Sequence, residues 1–181
     1  MKFERSSGVF LHPTSLPGEY GIGSLGETAY KFIDFLSKAG QKIWQMCPLG
    51  PTGYGDSPYQ SFSAFAGNSY LIDLQKLVKD GYLAKGDLAT DKDFPSKRVD
   101  YGQVINFKMP LLRAAFNNFK SMDIPEEKKR FREFCSENKE WLDDYALFRA
   151  VKERFDGCAW TEWDDDIRFR REDALIKYRQ E

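Results

Sequence analysis

Glycine and proline crowd into one end of this chain, and that crowding limits what it can fold into more than any other feature. Residues 1–74 hold ten of the 14 glycines and five of the eight prolines, whereas residues 103–181 are charged, poor in breakers and helix-like. Glycine permits close backbone approach and left-handed turns, and proline fixes the local backbone and denies it a donor. The first part is therefore expected to be rich in built loops and the last part to be helical packing, with the change of texture near residue 75. No internal repeat or low-complexity tract appears, which argues against a solenoid.

Composition excludes several classes. Hydrophobic residues make up 41% and aromatics 15%, as in a globular chain rather than a disordered one. Lys and Arg number 27 against 28 Asp and Glu, a net charge of -1, so there is no basic field to favour nucleic acid or an anionic membrane as partner. No apolar run approaches the roughly 18 residues of a membrane span. The polar start, Met1 to Ser7, is unlike a secretory signal. Cys47, Cys135 and Cys158 are odd in number and far apart, so neither a disulfide framework nor a Cys-x-x-Cys metal site can be written from them. Reduced thiols in a cytoplasmic protein are the simplest reading. His12 is the only histidine, which excludes a multi-histidine metal site.

The first part reads as the opening of an α/β protein. Gly8-Val-Phe-Leu11 is an apolar run expected to form a buried strand, and Lys42 to Met46 a second strand, stopped by Pro48. Between them, Ala29, Phe32, Ile33 and Leu36 recur at i, i+3, i+4 and i+7, which predicts a helix from Glu27 to Ala39 ended by Gly40. Strand, helix, strand is a βαβ unit with a parallel pair. Further helices are expected from about Gln103 to Phe119, broken or kinked at Met109 by Pro110; from Pro125 to about Glu137; and from Trp141 to Phe155. Asp173 to Glu181 is expected to fray.

Gly21-Ile-Gly-Ser-Leu-Gly26 fits the G-x-G-x-x-G pattern of dinucleotide sites, but its context does not. Nine residues containing Pro13 and Pro17 separate it from the first strand, and the second strand does not end in the required acid. A tight turn with Ser24 as helix cap is the preferred reading.

The informative segment follows the second strand, from Pro48 to Tyr70. It interleaves aromatic rings with hydroxyls, the Asp56 carboxylate and the Gln60 and Asn68 amides. Loops at the carboxyl ends of parallel strands are where such folds place their sites. Pyranose faces stack on Tyr or Phe, while sugar hydroxyls require Asp, Gln, Asn and Ser, so this mixture suits carbohydrate. Phe62 and Phe65 are expected as core beneath the loop. Tyr54 and Tyr59, with their polar tips, are the candidates for a ligand.

At these residues the sequence resembles a known family. Gly8-Val-Phe-Leu-His12-Pro-Thr-Ser-Leu-Pro-Gly18, Gly21-Ile-Gly-Ser-Leu-Gly26, Trp44-Gln-Met-Cys-Pro-Leu-Gly-Pro-Thr-Gly53, Tyr54-Gly-Asp-Ser-Pro-Tyr-Gln60 and Phe65-Ala-Gly-Asn-Ser-Tyr-Leu-Ile-Asp-Leu74 are similar to the amino-terminal part of the 4-α-glucanotransferases. These are the amylomaltases, or disproportionating enzymes, of glycoside hydrolase family 77. Asp100-Tyr-Gly102 and Trp141-Leu-Asp-Asp-Tyr-Ala-Leu-Phe148 resemble later segments of the family, so the likeness runs from about Ser6 to about Trp163.

The resemblance implies an α/β fold, the amino-terminal part of a (β/α)8 TIM-type barrel with a helical insertion subdomain. Residues 1–74 would supply the first β/α units and the substrate loop, and 75–181 the insertion. A complete barrel needs about 250 residues, more than the 181 here. The implied reaction is retaining transfer of α-1,4-glucan segments through a covalent glycosyl-enzyme, with no metal or organic cofactor. The three carboxylates it uses have no match in this chain and are expected from later strands, which leaves the 181 residues inactive alone. Asp143-Asp144, expected in the first turn of a helix, and Asp164-Asp165-Asp166, expected in a loop, are read as solvated surface rather than substitutes.

Carried over residue by residue, Tyr59 resembles the aromatic platform for the sugar beside the cleaved bond, with Asp56, Ser57 and Gln60 as its polar companions. Asp56 is equally read as tying the loop to its own amides. Tyr54 and Tyr101 resemble a tyrosine pair holding glucan at a groove remote from cleavage. His12 is read as packing beside the pocket and Asn68 as stabilising its own turn. The expected partners are maltooligosaccharides and the remaining carboxy-terminal part of the enzyme, with no nucleic acid or membrane. A non-catalytic glucan-binding module and a helical protein-interaction domain are the alternatives.

Overall fold

A short parallel ladder organises the amino-terminal part of the chain. In this computed structural model, which describes residues 4–180 with Tyr54 described by its backbone alone, β1 (Gly8–Phe10) pairs with β2 (Ile43–Gln45). The pairing is parallel, in the register Gly8 to Ile43, Val9 to Trp44 and Phe10 to Gln45. One further hydrogen bond continues it at each end, Lys42 N to the Ser7 carbonyl at 3.0 Å and Leu11 N to the Gln45 carbonyl at 2.9 Å. That accounts for the slightly longer strands the sequence predicts. A Cβ on Gly8 would lie 2.4 Å from the Ile43 carbonyl oxygen, so only glycine allows this approach. The first strand is not buried as expected, since Phe10 is 60% exposed, and Ile43 of β2 is 47% exposed as well. Among the described residues no third strand pairs with the outer edges, and α1 covers one face only, where Phe32 meets Trp44 at a centroid distance of 5.0 Å.

The crossover is α1 (Glu27–Lys38), which buries Ala29 and Leu36 and leaves Tyr30, Ile33 and Phe35 exposed. Its N-cap is Gly26, not Ser24 as expected. The Ser24 hydroxyl instead donates to Asp73 Oδ2 at 2.6 Å. Asp73 Oδ1 accepts from Lys76 N at 2.8 Å and so caps α2 (Leu74–Lys79), and a Cβ on Gly26 would strike the Asp73 carboxylate. One acid therefore fixes the starts of two helices. Gly21, at φ +75°, and Gly23 are packed against Phe94 and the Pro13 carbonyl. These glycines serve close packing of the turn.

The core of this part lies where α2 meets α3 (Tyr101–Ser121). Leu74, Leu83, Leu88 and Ala115 are buried there, backed by Tyr20, Phe107, Leu111 and Leu112. Asp100 caps α3 through a 3.0 Å bond from Gln103 N. Pro110 stands exposed inside α3, which runs on through it, so of the expected kink or break at Met109 the break does not occur. Packing of the apolar stripe on either side outweighs the lost backbone bond. By compactness the chain divides into residues 1–124 and 125–181, so α2 and α3 fold with the loop-rich segment. The change of texture near residue 75 is not a boundary of compactness.

The second unit is helical: α4 (Pro125–Glu137), α5 (Lys139–Arg154), α6 (Asp165–Arg168) and α7 (Glu172–Gln180). Leu147, Val151, Trp163, Ile167 and Ala174 form its core, with Phe148, Phe155, Leu175 and Tyr178 around them. The expected fraying from Asp173 is corrected, because burial of Ala174 and packing of Tyr178 hold α7. Asp143-Asp144 lies in the second turn of α5 rather than the first, since the helix begins at Lys139. Asp165 and Asp166 open α6 rather than lie in a loop.

Candidate functional site

The segment after β2 folds back on itself and is closed at its base. Asn68 N donates to the Leu49 carbonyl at 2.8 Å, Phe62 N to the Pro51 carbonyl at 3.2 Å, and Gly53 N to the Gln60 carbonyl at 2.7 Å. An antiparallel bridge pairs Thr52 with Ser61. The Asn68 side chain accepts from Tyr70 N at 2.9 Å and so holds the turn that ends the loop, as the sequence reading has it. Such a compact loop presents its tip in a fixed shape.

At that tip, Tyr54–Asp56 forms one 3-10 turn in which Gly55 (φ +67°) and Asp56 (φ +54°) are both left-handed. A non-glycine residue there is held against its own preference. Asp56 is half-buried, and burial raises its carboxyl above the usual carboxylate range. No bond from its carboxylate to a loop amide is found among the described residues, which removes the support for a backbone tie. The side chain of Tyr54 lies outside the described residues.

Tyr59 is 74% exposed. Its ring is nevertheless steadied, because the hydroxyl donates to Cys47 Sγ at 3.7 Å and the amide donates to Ser57 Oγ at 3.3 Å. The bond to Cys47 raises the phenol's pKa. Gln60 N donates to the Ser57 carbonyl at 3.1 Å, which leaves the Gln60 side chain exposed at the loop surface.

Tyr101, the first residue of α3, is half-buried and hydrogen-bonded with Thr14. Burial raises its phenol's pKa, the Asp56 charge adds to the rise, and its ring meets Tyr70 at a centroid distance of 6.1 Å. The structure thus brings Tyr101 and Asp56 into one electrostatic neighbourhood. Ser57, Tyr59 and Gln60 share the loop's backbone bonding, and Tyr59 is attached to the end of β2 through Cys47.

His12 packs between the two strand-end loops. Its Nδ1 lies 2.8 Å from Thr14 Oγ1 and accepts from Thr14 N, and Nε2 is 3.4 Å from the Pro48 carbonyl. Phe62 and Phe65 correct the expectation of core residues, being 36% and 72% exposed.

Sequence reasoning missed Thr14, Cys47, Tyr70 and Lys108. Lys108 carried a signal: it sits in the apolar stripe of α3 between Val104 and Leu111, where a lysine breaks the pattern. The acidic clusters are exposed surface, with Asp144 paired to Arg170 at 2.8 Å and Asp165 to Arg168 at 2.6 Å. Among the described residues no group of three His, Cys, Asp or Glu could hold a metal ion.

The family model described as 4-alpha-glucanotransferase matches residues 11–181. The 4-alpha-glucanotransferase of Thermus thermophilus is 51% identical over 97% of this chain and 34% of its own length, and that of Clostridium butyricum 49% identical over 94% and 34%. The structure of the amylomaltase from Streptococcus agalactiae in complex with acarbose superposes with a TM-score of 0.90 at 44% identity, covering 98% of this chain and 36% of that one. The chain spans about a third of the length of these relatives. With the parallel βαβ opening, the closed aromatic loop and a family match that runs through both units, this chain belongs to the 4-alpha-glucanotransferase family.

Proposed function

We propose that this chain forms the glucan-gripping amino-terminal part of a cytoplasmic 4-α-glucanotransferase that transfers α-1,4-glucan segments between maltooligosaccharides. The observation that carries the reading is Tyr59. A ring exposed to 74% yet fixed through its hydroxyl, on a closed loop leaving the carboxyl end of a parallel strand, is a stacking platform for a pyranose. Asp56, Ser57 and Gln60 supply acceptors and donors for sugar hydroxyls around it, and Tyr54 and Tyr101 form the second grip.

In this reading residues 1–74 are the first β/α units of a (β/α)8 barrel and 75–181 a helical insertion. Further strands would cover the outer edges of β1 and β2 and the exposed Phe10, Ile33 and Phe35. The nucleophile and the acid/base carboxylate, about 5–5.5 Å apart in a retaining enzyme, come from those later strands. Here the chain binds and orients glucan. The acarbose held by the streptococcal amylomaltase supports the ligand class. Three free thiols fit a reducing compartment, and among the described residues no helix is long and apolar enough to cross a membrane.

The test is calorimetric titration of the chain with maltoheptaose, paired with Tyr59→Ala and with a glucose-release assay on maltotriose. Binding that Tyr59→Ala abolishes, without glucose release, is the expected result. Absence of binding by the unaltered chain sinks the proposal.

A further inference from the structure

Lys108 is the one buried charged side chain among the described residues, 3% exposed in the middle of α3. A hydrocarbon side chain would pack that stripe at far lower cost, so the ammonium requires another explanation. Its Nζ donates to the Tyr70 carbonyl at 2.6 Å. The turn at Ser69–Leu71 uses the carbonyls of Asn68 and Ser69, and Leu25 N donates to that of Leu71, so the lysine serves the carbonyl these bonds leave over.

Tyr70 is held at both ends of one helix face. Tyr101 and Lys108 are seven positions apart on α3, two turns along the same stripe and about 10 Å of rise. The main chain of Tyr70 is pinned to Lys108, while its ring lies against Tyr101, with centroids 6.1 Å apart. The neighbouring Ser69 hydroxyl contacts Met109 Sδ at 4.0 Å on the same helix. The end of the aromatic loop is thus bracketed to α3 around a single tyrosine.

We propose that Lys108 is a positioning residue for glucan binding: by pinning the Tyr70 carbonyl it sets the Tyr70 ring, and through it the Tyr101 ring that meets the sugar. This rests on the reading of Tyr101 as a glucan contact. Lys108 also borders a cleft of about 440 Å³ lined by Glu19, Tyr20, Glu27 and Asp73. Burial lowers its pKa to about 8, against the attraction of Asp73. The anchor is therefore charged at neutral pH and becomes a weaker, neutral donor above it.

The experiment measures maltoheptaose affinity of the whole chain at pH 7 and pH 9. The proteins are the unaltered chain, Lys108→Met, Lys108→Arg, Tyr70→Ala and the Lys108→Met/Tyr70→Ala double variant, each checked for native circular dichroism. Loss of a charge-assisted bond predicts a Kd raised about fivefold or more by Lys108→Met at pH 7. Lys108→Arg should stay within about twofold of the unaltered chain, and should keep at pH 9 the affinity that the unaltered chain loses there. The double variant should bind no worse than Tyr70→Ala, because both changes act through one ring.

Unchanged affinity in a folded Lys108→Met, or independent multiplication of the two single effects, overturns the assignment. If Lys108→Met does not fold, Lys108→Arg decides, and an affinity at pH 9 no better than the unaltered chain's overturns it. No binding by the unaltered chain at any pH instead defeats the glucan reading on which this rests.

Discussion

Aromatic residues do opposite work in the two compact units. In residues 125–180, Phe148, Phe155 and Tyr178 close around the buried Trp163 on α5, α7 and the connection between α5 and α6. In the glycine- and proline-rich loop of the first unit, Tyr59 and Phe65 are 74% and 72% exposed on a backbone already fixed by its own hydrogen bonds. Similar side chains are buried as core where the backbone is a helix that needs a partner, and stay largely exposed where the loop closes through its own main-chain bonds. The chemistry of a ring is therefore decided by what the main chain has already satisfied.

The most severe way to break this contrast is Trp163→Ala. Deleting a buried indole costs about 3–5 kcal/mol, and circular dichroism with denaturant should show the second unit losing most of its stability. A variant unfolding within 1 kcal/mol (about 0.7 of a tenfold step) of the parent would contradict the core assignment.

Next comes the buried amine of the first unit. Its pKa is about 8 when folded and 10.5 when free, so between those values the unfolded chain holds more protons and stability rises with pH. Relative to Lys108→Met, in which the tyrosine titrations cancel, the parent should gain about 3 kcal/mol from pH 7.5 to 10.5. Urea unfolding at several pH values reads this directly, and a flat difference would mean Lys108 is not buried as charge.

Tyr59→Ala sharpens the comparison from the other side. An exposed ring should cost less than about 0.5 kcal/mol of stability. Glucan affinity should nevertheless fall at least about tenfold, the loss of one stacking platform. A large stability loss with unchanged affinity would reverse its role. The smallest effect belongs to Thr52, whose hydroxyl is buried with no partner among the described residues. Thr52→Val should raise the unfolding free energy by up to about 1 kcal/mol, and a drop in thermal midpoint would reveal a hidden acceptor.

The periodic features were legible before the structure. The parallel βαβ opening follows from two apolar runs around one amphipathic helix, and α4 begins where Pro125 suits a first helical position. What escaped depends on contacts distant in sequence. Ser24 is spaced to cap α1, but Asp73, 49 residues away, takes its hydroxyl. Pro110 should kink or break a helix by local rules, and tertiary packing carries α3 through it without a break. The polar end of the chain looked unanchored because Ala174 and Tyr178, which hold α7, are sparse in a charged run.

In the site, the loop's residue types pointed to carbohydrate, whereas their arrangement was not readable. The left-handed backbone at Asp56, the Tyr59 contact to Cys47 and the Lys108 contact to Tyr70 are products of chain reversal rather than of spacing. Family motifs pointed to Tyr101 as a candidate but gave no account of its contacts with Thr14 and Tyr70.

The exposed two-stranded ladder also governs how this polypeptide behaves in a tube. Each strand offers an outer row of amides and carbonyls next to the greasy surfaces of Phe10 and Ile43, and a net charge of -1 provides almost no mutual repulsion between molecules. Edge pairing along that seam is therefore the expected route of self-association, and a sedimentation coefficient that rises with concentration would be its sign.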